Sequence, residues 1–295
     1  MNDLAVATSD LVKTYSQRRR EVRAVDGLTL QIRHGEIFGL LGPNGAGKST
    51  TVEILEGYRD RTAGEVSVLG EDPQRAGTGW RSKIGIVLQQ TRDLADLSVR
   101  ESLESFAAFY AHPRPVSEVL ELVGLADKAD VHGSQLSGGL RRRLDVGLGI
   151  IGRPELLFLD EPTTGFDPDA RRHFWGLIKT LNREGTTIVL TSHYLDEVEA
   201  LAHRVGVIAG GRLLEVNTPD RLGGRGEADA IVSYRDADGQ LQTRHTDTPG
   251  ETVAALYDAS GEPAELTVHR PTLEDVYLKM IGAAGDPVDQ ETAHV

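Results

Sequence analysis

The residues best suited to chemistry fall in two runs. The first is Gly42-Pro43-Asn44-Gly45-Ala46-Gly47-Lys48-Ser49-Thr50, which satisfies the pattern G-x-x-x-x-G-K-[ST]. Glycines at this spacing let successive backbone N–H groups turn inward around a polyphosphate, and a helix beginning at Lys48 adds the positive end of its dipole. Lys48 supplies a charge for β- and γ-phosphates, and the Ser49 hydroxyl a ligand for Mg²⁺. The second run is Leu156-Leu157-Phe158-Leu159-Asp160-Glu161-Pro162. An apolar strand there carries Asp160 to its carboxyl end, where it can hold Mg²⁺ through water. Glu161 then faces the γ-phosphate and the attacking water; loss of such a base lowers turnover by about 10²–10⁴.

These residues need a scaffold, and the hydrophobic pattern supplies one. Glu36–Leu41 is a short apolar run before the glycine loop, and Lys48–Glu56 reads as the helix after it, closed by Gly57. Strand, loop and helix in that order form the context a phosphate site requires. Ile84–Leu88, Leu156–Leu159, Thr187–Thr191 and Val205–Ile208 read as buried parallel strands. Upstream, Leu4–Val12, Val22–Val25 and Leu28–Ile32 read as antiparallel strands, with Ser16–Arg20 as a polar turn. Residues 93–152 carry helical spacing and no convincing strand, which suggests a helical insertion in an α/β core. Within it, Leu140, Leu144, Leu148 and Ile151 mark a buried stripe, so most of Arg141–Arg143 reads as a solvated helix face.

Past Val205–Ile208, Gly210-Gly211 signals a two-residue hairpin, and Thr218-Pro219-Asp220 a further helix start. After the glycines at 223–227 the pattern becomes strand, DADG turn, strand, helix, strand, helix, a small α+β unit. Thr272 and Asp275 are spaced to cap its last helix. The expected division is therefore 1–222 for the nucleotide domain, with its helical insertion about 93–152, then 223–283 for the small domain and 284–295 for a polar tail.

Composition narrows the partners. The net charge is −13, from 45 acidic and 32 basic residues. That opposes bulk nucleic-acid binding, which needs a basic face. Residues 221–295 are the most acidic part, with 14 acidic against 6 basic residues. The chain has no cysteine, which excludes disulfides, cysteine-ligated zinc and thiol catalysis, and fits a reducing compartment. The first residues lack the basic head and apolar run of a signal peptide. No apolar stretch has the length needed to span a bilayer.

A third run, Leu136-Ser137-Gly138-Gly139, lies between the glycine loop and the Asp160-Glu161 strand. It resembles the signature motif of the ATP-binding cassette (ABC) family, and the other motifs of that family follow in order over residues 4 to about 220. The resemblance implies ATP and Mg²⁺ as ligands and assigns roles residue by residue. Tyr15 would stack on adenine. Gln89, ending a strand, would be the metal-contacting glutamine that links the nucleotide to a membrane partner. Asp167, in Thr164-Gly165-Phe166-Asp167, would be the acid of the loop at the dimer contact. His193, ending Thr187–His193, would contact the γ-phosphate. Two positions depart from the family pattern: Leu140 stands for the usual glutamine and Phe166 for the usual leucine.

In that family the signature turn does not serve its own chain's loop. Two copies meet head to tail, each ATP lying between one glycine loop and the other copy's Ser137, Gly138 and Gly139. Two helix N-termini then cover the phosphate charge. The resemblance thus implies a homodimer working with a separate transmembrane permease, at the cytoplasmic face of the membrane. The segment Leu136–Pro168 and the closing Pro271–Gly282 resemble ATPase subunits of ABC-2-type exporters of drugs, antibiotics or lipid-like compounds. The small domain would then be a dimer brace, a regulatory site or a sensor. The alternative is a soluble ABC ATPase acting on ribosomes or DNA. Against it stand the single cassette, the acidic charge and the absence of coiled coils and a cysteine pair. A GTPase switch would need an Asn-Lys-x-Asp motif, and there is none.

Overall fold

The structure is a computed structural model and describes residues 3–17, 20–87, 96–236, 238–257, 261 and 263–285. The chain opens with two long strands, β1 (Leu4–Gln17) and β2 (Arg20–Arg33), paired antiparallel. Three shorter strands were expected here. Bulges explain the difference: the register shifts between Thr8 and Leu11, where Asp10 has φ 47°, and again opposite Gly27, φ 72°. A bulge breaks the alternation of apolar residues without ending the strand. Residues 18–19 of the expected turn lie outside the described residues.

Strand β3 (Ile37–Leu41) is wholly buried and leads through the glycine loop to helix α1 (Lys48–Leu55). Next come β4 (Ala63–Val68), which adds antiparallel to β1, the single turn α2 (Thr78–Arg81), and β5 (Ile84–Val87). The sequence reading missed both β4 and α2. Trp80 of α2 is fully buried and donates its indole N–H to Val68 O at 2.8 Å, tying this connection into the core.

The insertion contains α3 (Val99–Ala107), α4 (Val116–Leu122) and α5 (Gly138–Ile150), with single 3₁₀ turns between the last two. Ser98 and Glu101 form a reciprocal cap at the start of α3. The core resumes with β6 (Leu156–Asp160), α6 (Pro168–Arg183), β7 (Thr187–Thr191), α7 (Leu195–Leu201), β8 (Arg204–Ala209) and β9 (Arg212–Asn217). The buried Arg114 fastens the insertion to this core. It pairs with Glu118 at 2.7 Å and with Glu184, just past α6, at 2.6 Å.

The central sheet has the order β5-β6-β7-β3-β8-β9. Pairing is parallel from β5 through β8, and every residue of β3 and β7 is buried, as a sheet covered on both faces demands. The order sets β7 directly between β6 and β3, so the carboxyl ends of all three lie side by side. Ligands of open α/β sheets bind at such ends. Gly210 and Gly211, with φ 56° and 78°, make the two-residue turn from β8 to β9.

Contacts divide the chain into Met1–Val216 and Asn217–Val295, ahead of the boundary read from the sequence at 222. The glycines at 223–227 belong to a 3₁₀ segment, Leu222–Glu227, where an α-helix was expected to follow Thr218. Gly223 and Gly224 adopt φ 59° and 75°, which an α-helix cannot accommodate. The second unit then has β10 (Ala230–Arg235), β11 (Leu241–Thr246), α8 (Pro249–Ala254), β12 (Ala264–His269) and α9 (Leu273–Gly285). Its sheet runs β11-β10-β12, all antiparallel. Thr272 and Asp275 cap α9 reciprocally, at 2.8 and 3.1 Å. Most of the expected tail lies outside the described residues.

Candidate active site

The glycine loop joins β3 to α1 and is wedged against two neighbours. A Cβ on Gly42 would lie 2.3 Å from Ile208 O, and one on Gly47 2.2 Å from Ala24 O. Gly47 also has φ 103°, a backbone closed to other residues. Ala46 is buried and accepts a hydrogen bond from Gly211 N at 3.0 Å, while Pro43, Asn44 and Gly45 face solvent. Lys48 is buried at the start of α1; its Nζ donates to Gly42 O at 2.6 Å and to Pro43 O at 3.1 Å. Ser49 is exposed beside it and Thr50 half-buried. Burial pulls the Lys48 ammonium below the usual lysine range, while the charges of Glu161 and Asp160 act to restore it. The two expected acids therefore stand within electrostatic reach of the expected lysine.

Those acids end β6. Asp160 Oδ1 accepts a hydrogen bond from Thr191 Oγ1 at 2.5 Å, across the pairing of β6 with β7. Glu161 has a left-handed backbone, φ 45°, and its N–H reaches Thr191 O and Oγ1, each at 3.1 Å. His193, just beyond β7, places Nδ1 3.5 Å from Glu161 Oε2. Its ring lies against Tyr194, centroids 4.0 Å apart, and Arg171 covers the far partner at 4.2 Å from the Tyr194 centroid. Thr191 carries much of this arrangement, and sequence reasoning passed over it as an ordinary strand residue.

The remaining expected residues scatter. Tyr15 lies on β1, half-buried, with Lys13 Nζ 5.2 Å and the Arg59 guanidinium 5.4 Å from its ring centroid. Gln89 lies outside the described residues. Ser137 caps α5, its Oγ accepting from Leu140 N at 3.4 Å; Ser137 and Gly138 are exposed, Gly139 and Leu140 half-buried. Among the described residues no hydrogen bond or ion pair joins Ser137, Gly138 or Gly139 to the glycine loop. Asp167 caps α6, accepting from Ala170 N at 2.7 Å, and Phe166 packs edge-on against Phe174 at 5.9 Å.

One expectation is overturned. Arg142 is not part of a solvated face: it is 6 % exposed, and its guanidinium donates to Pro162 O at 3.1 Å and Asp160 O at 2.5 Å. Arg141 and Arg143 are half-buried, reaching Gly133 O and, at 3.5 Å, Gly124 O. Counting apolar positions along the helix hid this, because two carbonyls of the β6 loop make a polar slot in an otherwise apolar face. A groove of about 610 Å³ also opens near the end of α1, lined by Glu56, Tyr58, Ile86, Phe106, Tyr110 and Leu148 among others.

A glycine loop on a helix N-terminus, with two acids at the end of a neighbouring parallel strand, defines a phosphate-loop nucleotide enzyme. Comparison with known proteins refines this. Residues 25–164 match the family model described as ABC transporter. The chain is 35% identical to the daunorubicin resistance ATP-binding protein DrrA3 of Streptomyces coeruleorubidus, covering 96% of this chain and 97% of that one. It is also 35% identical to Nod factor export ATP-binding protein I of Burkholderia pseudomallei (strain K96243), over 95% and 98% of the two chains. Among solved structures, the dimeric post-hydrolysis state of the ATP-binding cassette MJ0796 with ADP and Pi matches at TM-score 0.67 and 25% identity, covering 72% of this chain and 98% of that one. The chain belongs to the ABC transporter family, as an ATP-binding subunit that hydrolyses ATP. No helix among the described residues is long and apolar enough to cross a membrane.

Proposed function

We propose that this ATPase powers export of a drug-like, antibiotic or lipid-like compound through a separate ABC-2-type permease, at the cytoplasmic face of the membrane. The observation carrying this reading is that its likeness to DrrA3 and to the Nod factor export protein runs nearly end to end, through the second unit as well as the cassette. The groove beside α1 and α3 is the proposed seat for a short cytoplasmic helix of the permease, with Gln89 linking that seat to the nucleotide.

The division of labour follows from position and chemistry. Tyr15 stacks on adenine, and the backbone of Gly42–Thr50 cradles the phosphates. Lys48 exchanges its loop carbonyls for β- and γ-phosphate oxygens. The oxygen donors Ser49 and Asp160, with the Gln89 amide, are hard ligands of the kind Mg²⁺ takes. Gly45 is open, since a Cβ there would meet nothing within 4 Å, so phosphates have room to enter. Bound Mg²⁺ would neutralise charge developing on the phosphate oxygens. Glu161 accepts the proton of the attacking water, and His193, beside it, steadies that carboxylate and the γ-phosphate.

Ser137 and Gly138 are exposed and Gly139 half-buried, and among the described residues none of the three bonds to its own glycine loop, which supports their use on the ATP of a second copy. In that dimer ATP is the adhesive and hydrolysis releases it. Glu161→Gln keeps the fold and ATP binding and removes the base. The expected outcome is a stable dimer of that variant in saturating Mg-ATP, measured by sedimentation, with turnover reduced by about 10²–10⁴. Monomers alone under those conditions would refute the sandwich. Co-expression with a permease should carry the chain to the membrane fraction; recovery only with ribosomes or DNA would refute the transporter reading.

A further inference from the structure

Arginine stays charged at any pH a cell reaches, and burying one requires compensation. Arg142 is compensated by the surrounding field of Asp145, Asp160, Glu197 and Glu161 and by the two carbonyls it holds. Those carbonyls, Asp160 O and Pro162 O, lie on either side of Glu161. A planar guanidinium spans two acceptors in fixed geometry, as a lysine head cannot. Thr191 in turn holds the Glu161 N–H through two oxygens. Glu161 needs this grip: a left-handed backbone under a long side chain persists only where neighbours over-determine it.

The helix that carries Arg142 also carries Ser137 as its cap and Gly138 and Gly139 as its first residues. One rigid element thus ends in the signature turn and, further along, grips the catalytic loop. We propose that Arg142 is a positioning residue that couples the two nucleotide sites of the dimer. It passes the seating of α5 on one ATP to the Glu161 that hydrolyses the other. This rests on the sandwich dimer argued above. In that assembly Ser137 touches the partner's ATP while Glu161 serves its own chain's, so a strut between them joins different sites. When ATP draws α5 toward the partner, Arg142 sets the carbonyls of Asp160 and Pro162, and with them the direction of the Glu161 carboxylate. Each site then fires only when the other is filled, and turnover rises cooperatively with ATP.

The test uses the full chain and ATPase rates over a range of ATP concentrations, with circular dichroism as the check on folding. Wild type is expected to give a Hill coefficient near about two, the number of sites. Arg142→Gln should lower kcat by about 10²-fold, the cost of misplacing a catalytic group by an ångström or so. Its Hill coefficient should fall to about one. The variant E161Q/R142Q should still form the ATP-dependent dimer expected of E161Q. Should Arg142→Gln fail to fold, Arg142→Lys keeps the charge without the fork and should show the same loss of cooperativity with a smaller loss of kcat. Several results overturn the proposal: a wild-type Hill coefficient of one, unchanged kcat and cooperativity in a folded Arg142 variant, or a fallen kcat with cooperativity intact. A monomeric E161Q/R142Q beside a dimeric E161Q also overturns it, placing Arg142 in the dimer contact. A monomeric E161Q alone overturns the sandwich and this proposal with it.

Discussion

At the scale of single residues, the strongest perturbation is Glu56, at the end of α1. Burial, reinforced by the like charges of Asp160 and Glu53, pushes its carboxyl up to about 8 from an ordinary 4.5. The folded chain therefore keeps a proton that the unfolded chain releases, and stability falls as pH rises from the unfolded value toward the folded one. Glu56→Gln removes the group that resists ionisation. Between about pH 5 and about pH 9 the variant should lose about 4 kcal/mol less unfolding free energy than wild type. Urea denaturation at the two pH values measures this, and parallel losses in both chains would rule it out. Residue identity alone made Lys48, Ser49, Asp160 and Glu161 legible, since their types and order suffice to suggest phosphate chemistry. Arg142 and Thr191 were not legible: their importance lies in which backbone atoms face them, and a one-dimensional pattern does not report that.

At the scale of elements, the parallel strands and helix α1 followed closely from apolar runs and glycine breaks, whereas α6 and α7 went unread. The two long strands at the chain's start read as three for one reason: β1 and β2 pair through bulges, so their alternation of side chains slips where pairing does not. The glycine loop illustrates the reverse case, where a motif conceals a packing demand. Gly47 meets Ala24 O of β2, and Gly211 of the β8–β9 turn bonds to Ala46. The antiparallel sheet and the hairpin thus mould the loop from outside. Gly47→Ala would drive a methyl against that carbonyl in a backbone of φ 103°. It should cost about 2–4 kcal/mol of stability as well as ATP affinity. Thermal unfolding without nucleotide separates the two effects, and an unshifted melting temperature would show that the loop yields.

For the molecule as a whole, every residue assigned to nucleotide lies in Met1–Val216, while the acidic second unit holds a separate three-stranded sheet. ATP at a hundred times its dissociation constant stabilises what it binds by about 2.7 kcal/mol. Hydrogen exchange of the full chain should therefore slow in the glycine loop, α1 and the loop after β6, with β10, β11 and β12 unchanged. Equal protection in both units would assign the second one a part in nucleotide binding. The sequence indicated this second unit through its change of pattern, but its starting point lay hidden in glycines that turn within a 3₁₀ segment.

The left-handed backbone at Glu161 has an evolutionary consequence. Asparagine, aspartate and glycine rest more easily than glutamate in that conformation. Drift toward any of them would leave the protein folded and abundant, so quality control that detects misfolding would let the change pass. Under the role proposed for Glu161, only selection for turnover keeps a glutamate there, and a lineage released from that selection would lose its catalyst before it lost its fold.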